Sequence, residues 1–122
     1  MNIAVSIKRA RTSFYLPYPP PLSACYRNHP RYGRVKTGVY KAWETQAGFQ
    51  LKAAGVVPIT GEVKALYEFG KPDKRRRDLG NLEKSVSDCL VKFGVIEDDS
   101  HIIDLRLCWM NQPGCRVTLE AA

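Results

Sequence analysis

Asp78-Leu79-Gly80-Asn81-Leu82-Glu83-Lys84-Ser85-Val86-Ser87-Asp88-Cys89-Leu90-Val91-Lys92-Phe93-Gly94 is the stretch from which the rest of this 122-residue chain can be read. Its apolar members Leu79, Leu82, Val86, Cys89, Leu90 and Phe93 return at intervals of three and four, the repeat of one face of an α-helix. Asp78 is placed to accept the free N–H groups of a first turn, and Gly94 to end the helix in a left-handed residue. On each side the period changes to two. Upstream, Val63, Ala65, Tyr67 and Phe69 alternate with Glu62, Lys64 and Glu68 between Gly61 and Gly70, which predicts a strand with one wet face. Downstream, Ile103, Leu105, Leu107 and Trp109 alternate with Asp104, Arg106, Cys108 and Met110, which predicts a buried strand. Asn111-Gln112-Pro113-Gly114 breaks that run and Val117 and Leu119 resume it, so a C-terminal hairpin is expected.

Further out, Tyr40, Trp43, Ala47, Leu51 and Ala54 mark an earlier helix running from a Thr37 cap to Gly55. Thr12-Ser13-Phe14-Tyr15-Leu16 reads as a strand that Pro17-Tyr18-Pro19-Pro20-Pro21 terminates, because proline cannot donate to a ladder. Residues 22–36 show no periodicity and are expected to form a loop, basic through Arg27, Arg31, Arg34 and Lys36 and aromatic through Tyr26 and Tyr32. The predicted order is β-α-β-α-β-β: a single α/β (mixed α+β) domain over residues 1–122, with a mixed sheet and helices packed on it.

Composition narrows the class. Residues 1–77 carry 15 Lys and Arg against 4 Asp and Glu, whereas residues 78–122 carry 4 against 8, so the sign of the charge flips once along the chain. A basic surface attracts polyanions, and carboxylates beside a phosphate backbone then need a cation between them, for which a hard divalent ion with oxygen ligands is the usual mediator. No apolar run approaches the ~20 residues that cross a bilayer. The N-terminus is apolar before it is basic, the reverse of a secretory signal, so a soluble cytoplasmic protein without membrane partners is expected. Cys25, Cys89, Cys108 and Cys115 form no CxxC pair and stand at no zinc-finger spacing from His29 or His101. Buried free thiols are expected; across the predicted hairpin, Cys108 and Cys115 could pair under oxidising conditions.

The chemistry concentrates around the helix at 79–93. Lys71-Pro72-Asp73-Lys74-Arg75-Arg76-Arg77 places five cations in seven residues just before a helix N-terminus, whose free N–H groups and dipole also favour phosphate. Asp78 can act as an N-cap, as a metal ligand, or as both through its two oxygens. Glu97-Asp98-Asp99 is either a polar turn or a turn that aims a carboxylate back at the start of the helix. Asn81, Lys84 and Asp88 fall within about 40° of one another around the helix, and Lys84 with Asp88 makes an i,i+4 pair.

Arg75-Arg76-Arg77-Asp78-Leu79-Gly80-Asn81-Leu82-Glu83-Lys84, followed by Asp88, Gly94 and Glu97-Asp98-Asp99, closely resembles the core of RusA-type crossover junction endodeoxyribonucleases, and Pro17-Tyr18-Pro19-Pro20 with Tyr26-Arg27 resembles that family's N-terminal segment. The resemblance runs from about Phe14 onward, and residues 1–11 look like an extension. It implies a homodimeric resolvase of bacterial or phage origin that binds four-way DNA junctions and nicks two strands with Mg²⁺, for which Mn²⁺ can substitute. It places catalysis on Asp78, Asp98, Asp99 and Lys84, with Asp78, Asp98 and Asp99 as metal ligands and Lys84 neutralising the scissile phosphate. DNA contacts are expected from Lys71, Lys74, Arg75, Arg76, Arg77 and Arg27. The family commonly carries a second Asp two residues after the first, where this chain has Gly80. Glu83 one turn on could replace it, water could fill the position, or the chain could bind junctions without cutting them. A basic module for RNA or anionic surfaces is the remaining reading.

Overall fold

The computed structural model describes residues 10–122. Strand β1 (Arg11–Leu16) leads through the proline segment and a 3₁₀ turn (Leu22–Ala24) to β2 (Tyr26–His29) and β3 (Gly33–Lys36), then helix α1 (Gly38–Ala54) and strand β4 (Val63–Gly70). A 3₁₀ turn (Leu79–Leu82), helix α2 (Glu83–Lys92), a second short turn (Asp99–His101), β5 (Ile102–Trp109) and β6 (Gly114–Ala121) complete the domain. It is the mixed α+β unit the alternation predicts. Of the expected extension over residues 1–11, residues 1–9 lie outside the described part and Arg11 opens β1.

The four-stranded sheet has the order β1-β6-β4-β5, with β4 antiparallel to β6 and parallel to β5. This corrects the expected C-terminal hairpin: β5 and β6 are consecutive in sequence and β4 lies between them. Gly70 shows how the connection passes. A Cβ there would stand 1.5 Å from the Gln112 carbonyl oxygen and 2.9 Å from Pro113 Cα, so residues 110–113 cross over the end of β4 where no side chain exists. The Met110 N–H donates to Phe69 O at 2.8 Å as the crossing begins. Cys108 and Cys115 therefore do not face each other across a hairpin, and all four cysteines are free.

Two further corrections concern local structure. Residues 22–36 contain the antiparallel pair β2–β3 in place of a plain loop; none of its residues is fully buried, so no apolar alternation reveals it. Strand β5 is an edge strand, with Ile103 51% and Leu105 37% exposed, because the helices cover the sheet only as far as β4.

One sheet face carries the core. Phe14 and Leu16 of β1, Cys115, Val117 and Leu119 of β6, and Val63, Ala65, Tyr67 and Phe69 of β4 are all buried. Against them α1 presents Tyr40, Trp43, Ala47 and Leu51, and α2 presents Val86, Cys89 and Leu90. Polar clasps fix the layers. Trp43 Nε1 donates to Pro17 O at 2.8 Å, Ser85 Oγ to Pro20 O at 3.0 Å, and the Tyr67 hydroxyl meets Ser87 Oγ at 2.9 Å. Ser85 and Ser87 are thus buried on the helix face without an unsatisfied group, which is what makes a polar residue tolerable there. Burial also pushes the thiols of Cys89 and Cys115 up to about 12, so both behave as inert core residues.

Helix α1 keeps its predicted limits: Thr37 Oγ1 accepts the Tyr40 N–H at 3.2 Å, and Gly55 closes the helix at φ 61°. The later helix begins differently from expectation. Asp78 caps a 3₁₀ turn, and the α-helix proper starts only at Glu83.

Substitution of Gly70 by Ala tests the crossover. The new methyl would meet the Gln112–Pro113 backbone and could not be relieved by a side-chain rotation, so a loss of about 3 kcal/mol is expected, seen as a lower urea midpoint. The same change at Gly61, where nothing stands within 4 Å of the added Cβ but φ is +77°, should cost only about 1 kcal/mol.

Candidate nucleic-acid and catalytic site

The segment between β4 and β5 carries nearly every residue of the expected site. It begins with the cationic loop at 71–77, which is folded around Asp73. That carboxylate accepts the Arg75 backbone N–H at 3.0 Å, Arg75 Nε and Nη2 at 3.1 Å, and Arg77 Nη2 at 2.8 Å. These donors, the backbone N–H first, hold its pKa down at about 2. Arg75 is bound on one side yet remains exposed, whereas Arg77 is turned inward, its guanidinium 5.7 Å from the centre of the Tyr18 ring. Lys71 lies over Trp109 at 4.8 Å, and Lys74 and Arg76 stand out in solvent. Arg27, the remaining expected DNA contact, is exposed on β2.

Asp78 is exposed and caps the 3₁₀ turn, its Oδ1 accepting the Gly80 N–H at 3.0 Å. It lines a hollow with Tyr18, Pro21, Arg76, Arg77, Asn81 and Leu82. Two donors at this hollow, Tyr18 Oη and Arg77 Nε, are buried without a hydrogen-bond partner among the described residues. An unsatisfied buried donor costs about 1–3 kcal/mol, so both would gain from an incoming oxygen. In the sequence Tyr18 stands out only within the Pro17-Tyr18-Pro19-Pro20 segment and without a role of its own, because a tyrosine among prolines carries no charge signal.

One helical turn further, Lys84 Nζ stands 3.1 Å from Asp88 Oδ1 and 3.7 Å from Asp99 Oδ2. The hydrogen bond to Asp88 is the main cause of its raised pKa, with Asp99 adding to it, so the ammonium stays charged throughout the neutral range. The turn at 97–101 does aim one acid back at the helix, and that acid is Asp99. Of its neighbours, Glu97 accepts the Gly61 N–H at 2.8 Å, and Asp98 accepts the Ser100 hydroxyl at 2.6 Å, which lowers its pKa. Glu83 is held by the Ser87 hydroxyl at 2.6 Å, which in turn meets Tyr67.

The structure therefore brings Lys84, Asp88 and Asp99 together and leaves Asp78 at the other side of the first turn. Among the described residues no three acidic, histidine or cysteine side chains lie close enough to hold a metal ion as a ready cage. The donor chemistry, carboxylate oxygens alone, still fits Mg²⁺, an ion that commonly takes one or two carboxylates and completes its shell with water and substrate phosphate. At Gly80 an added Cβ would meet only Asp78 Oδ1, at 3.5 Å, so nothing in the packing forbids a carboxylate at that position.

A second polar cluster lies beside the first. Glu44 is 3% exposed, yet Lys36 reaches both its oxygens at 3.0 Å and Lys92 approaches at 3.4 Å. Tyr26, Lys36, Tyr40, Glu44 and Lys92 share one hollow with Asp88, Asp98 and Asp99. The sequence reading missed Glu44; an acid on the buried side of a helix, with lysines eight residues away on one side and far off on the other, has no local signature.

A compact mixed domain that offers a folded arginine loop, a hollow lined by unpaired donors, and a lysine between two aspartates belongs to the class built to handle a phosphate backbone. Residues 17–120 match the family described as Endodeoxyribonuclease RusA. The chain is 36% identical to the crossover junction endodeoxyribonuclease RusA of Escherichia coli strain K12, over 80% of its own length and 82% of that protein's. Its similarity to the proteins of the same name from Enterobacteria phage 82 (35% identity, 78% and 79% of the two chains) and Enterobacteria phage HK97 (33%, 88% and 90%) has the same reach. The chain belongs to the RusA family.

The Asp73 arrangement makes a measurable prediction. Its pKa is depressed relative to the ordinary 3.8, so its contribution to loop order is complete above that value and disappears as pH falls through about 2. An NMR titration should place the Asp73 midpoint near 2, and the double substitution Arg75→Ala, Arg77→Ala should move it back toward 3.8. A midpoint already near the ordinary value in the unaltered protein would mean that the loop is not folded on this carboxylate.

Proposed function

We propose that this protein is a structure-selective endodeoxyribonuclease that resolves four-way (Holliday) DNA junctions by paired nicks, acting with Mg²⁺ as a homodimer in recombination and repair. The observation that carries the reading is Lys84 held between Asp88 and Asp99, six residues after the Asp78 that follows the arginine loop, in a chain of the RusA family. The relatives found are each named as junction endonucleases, which gives no support to the alternative that Gly80 leaves a chain that binds without cutting.

The residues divide the work by position. Lys71, Lys74, Arg75, Arg76 and Arg27 neutralise phosphates along the strands. Tyr18 and Arg77 offer their unpaired donors to a phosphate oxygen in the hollow beside Asp78. Lys84 faces the scissile phosphate and stabilises the charge that builds on it, an effect strongest where the donor is already in place. Asp78, which caps the turn through Oδ1 alone, and Asp99 would supply carboxylate oxygens to a divalent ion, with Asp98 and Glu83 as further acids, the latter already accepting from Ser87 through Oε1. When bound, the ion would supply Lewis acidity and lower the pKa of a water. A two-fold dimer suits the task because it offers two equivalent sites to a substrate with approximate two-fold symmetry.

Purified protein should nick a synthetic four-way junction at paired, symmetric positions with Mg²⁺, and EDTA should abolish cutting. Asp78→Asn and Asp99→Asn should each lower the cleavage rate by at least about a hundredfold while junction affinity in a gel-shift assay stays within about threefold. Intact strands at high enzyme and metal concentration would refute the nuclease reading.

A further inference from the structure

Apart from Arg27, the β2–β3 hairpin takes no part in the chemistry just described, although it borders the same cleft: Tyr26 and Arg34 line a hollow together with Gly80, Glu83 and Lys84. Its base is rigid. The Tyr26 ring packs edge-on against the buried Tyr40 at 5.6 Å, the Arg34 guanidinium covers Tyr26 at 4.2 Å, and Lys36 is anchored on Glu44. Its tip is equally defined. His29 Nδ1 accepts the backbone N–H groups of Arg31 at 3.0 Å and Tyr32 at 3.2 Å, so the imidazole closes the turn. The His29 and Tyr32 rings lie 4.8 Å apart at 30°, and the Arg31 guanidinium sits 5.6 Å from the Tyr32 ring centre. Tyr32 is nevertheless 68% exposed.

A large aromatic ring fixed at the end of a stiff projection is suited to stacking against a flat partner. The charge around it selects which kind. No acidic residue occurs between Leu22 and Trp43, whereas Arg27, Arg31, Arg34 and Lys36 all lie on the hairpin. An aromatic among arginines is the composition that binds exposed nucleobases, the ring taking the base and the cations the neighbouring phosphates. In a continuous duplex the bases are shielded by their neighbours; where the arms of a junction part, base faces become available, and a wedge there can hold them apart.

We propose that the β2–β3 hairpin is a branch-point wedge in which Tyr32 stacks on a nucleobase exposed at the junction crossover while Arg27 and Arg31 hold the flanking phosphates. This rests on the reading of the chain as a junction-binding protein and adds the element that distinguishes a junction from linear duplex. His29 is a positioning residue, holding the turn on which Tyr32 is presented.

The test compares wild type, Tyr32→Ala and Tyr32→Phe for affinity toward a four-way junction and toward linear duplex, with 2-aminopurine placed at the branch point of the junction. Wild type should prefer the junction and change the 2-aminopurine fluorescence on binding. Tyr32→Ala should lose that change and bind the junction on the order of tenfold more weakly, with duplex affinity unaltered, whereas Tyr32→Phe, which keeps the ring, should behave as wild type. A Tyr32→Ala protein that keeps both the junction preference and the fluorescence change, as expected if Tyr32 serves a protein partner, overturns the wedge and leaves the nuclease reading intact. Equal losses on junction and duplex overturn it as well. A wild-type protein without preference for the junction overturns the parent reading, and the wedge with it.

Discussion

Strand β4 has a neighbour on each side, antiparallel β6 on one and parallel β5 on the other, and the parallel pairing governs the rest. Two parallel strands cannot be joined by a tight turn; the chain must leave one end of the first and return at the start of the second. Residues 71–101 are that return. The cationic loop falls at the exit from β4, α2 crosses the sheet, and the acidic turn falls at the entry to β5. The clasp between Tyr67 and Ser87 then holds α2 against β4, with Val86, Cys89 and Leu90 facing the core and Lys84 and Asp88 left on the open side.

The elements legible in the sequence are those whose signals are local. Thr37 and Gly55 cap α1 because a hydroxyl and a left-handed glycine act on residues within one turn, and the alternation of β4 reflects one fully buried face opposite one that is exposed or half-buried as far as Glu68. Strand pairing is not local. The runs ending at Trp109 and beginning at Gly114 look like a hairpin, and the strand order, with Gln112 passing over Gly70, shows that the chain crosses β4 instead. The β2–β3 pair is hidden for the opposite reason: with both faces largely in water, selection for an apolar period is absent.

Within the site, residue types were legible and their partners were not. The arginine run announces affinity for phosphate, but the capture of Arg75 and Arg77 by Asp73 depends on the shape of the turn. Glu97, Asp98 and Asp99 form one acidic run in sequence, yet Gly61, Ser100 and Lys84 divide them among three partners, so only Asp99 is paired with α2. The second carboxylate expected beside Asp78 is missing at Gly80, and Glu83, its nearest substitute, is engaged by Ser87.

The two lysine–carboxylate clusters differ in a way that separates scaffold from working parts. Glu44 has a side-chain exposure of 4% and is bridged by both Lys36 and Lys92, so losing both ammonium groups would leave a buried charge stranded. Lys36 and Lys92 are therefore committed to holding α1, β3 and α2 in place. Lys84 and Asp99 are 48% and 50% exposed and 3.7 Å apart, and an exposed pair of this sort contributes only about 0–1 kcal/mol. A phosphate arriving at Lys84 would have little to displace. Its arrival would also free the Asp99 oxygen that the ammonium now faces, so the contact between Lys84 and Asp99 at rest is weak enough to be exchanged for substrate.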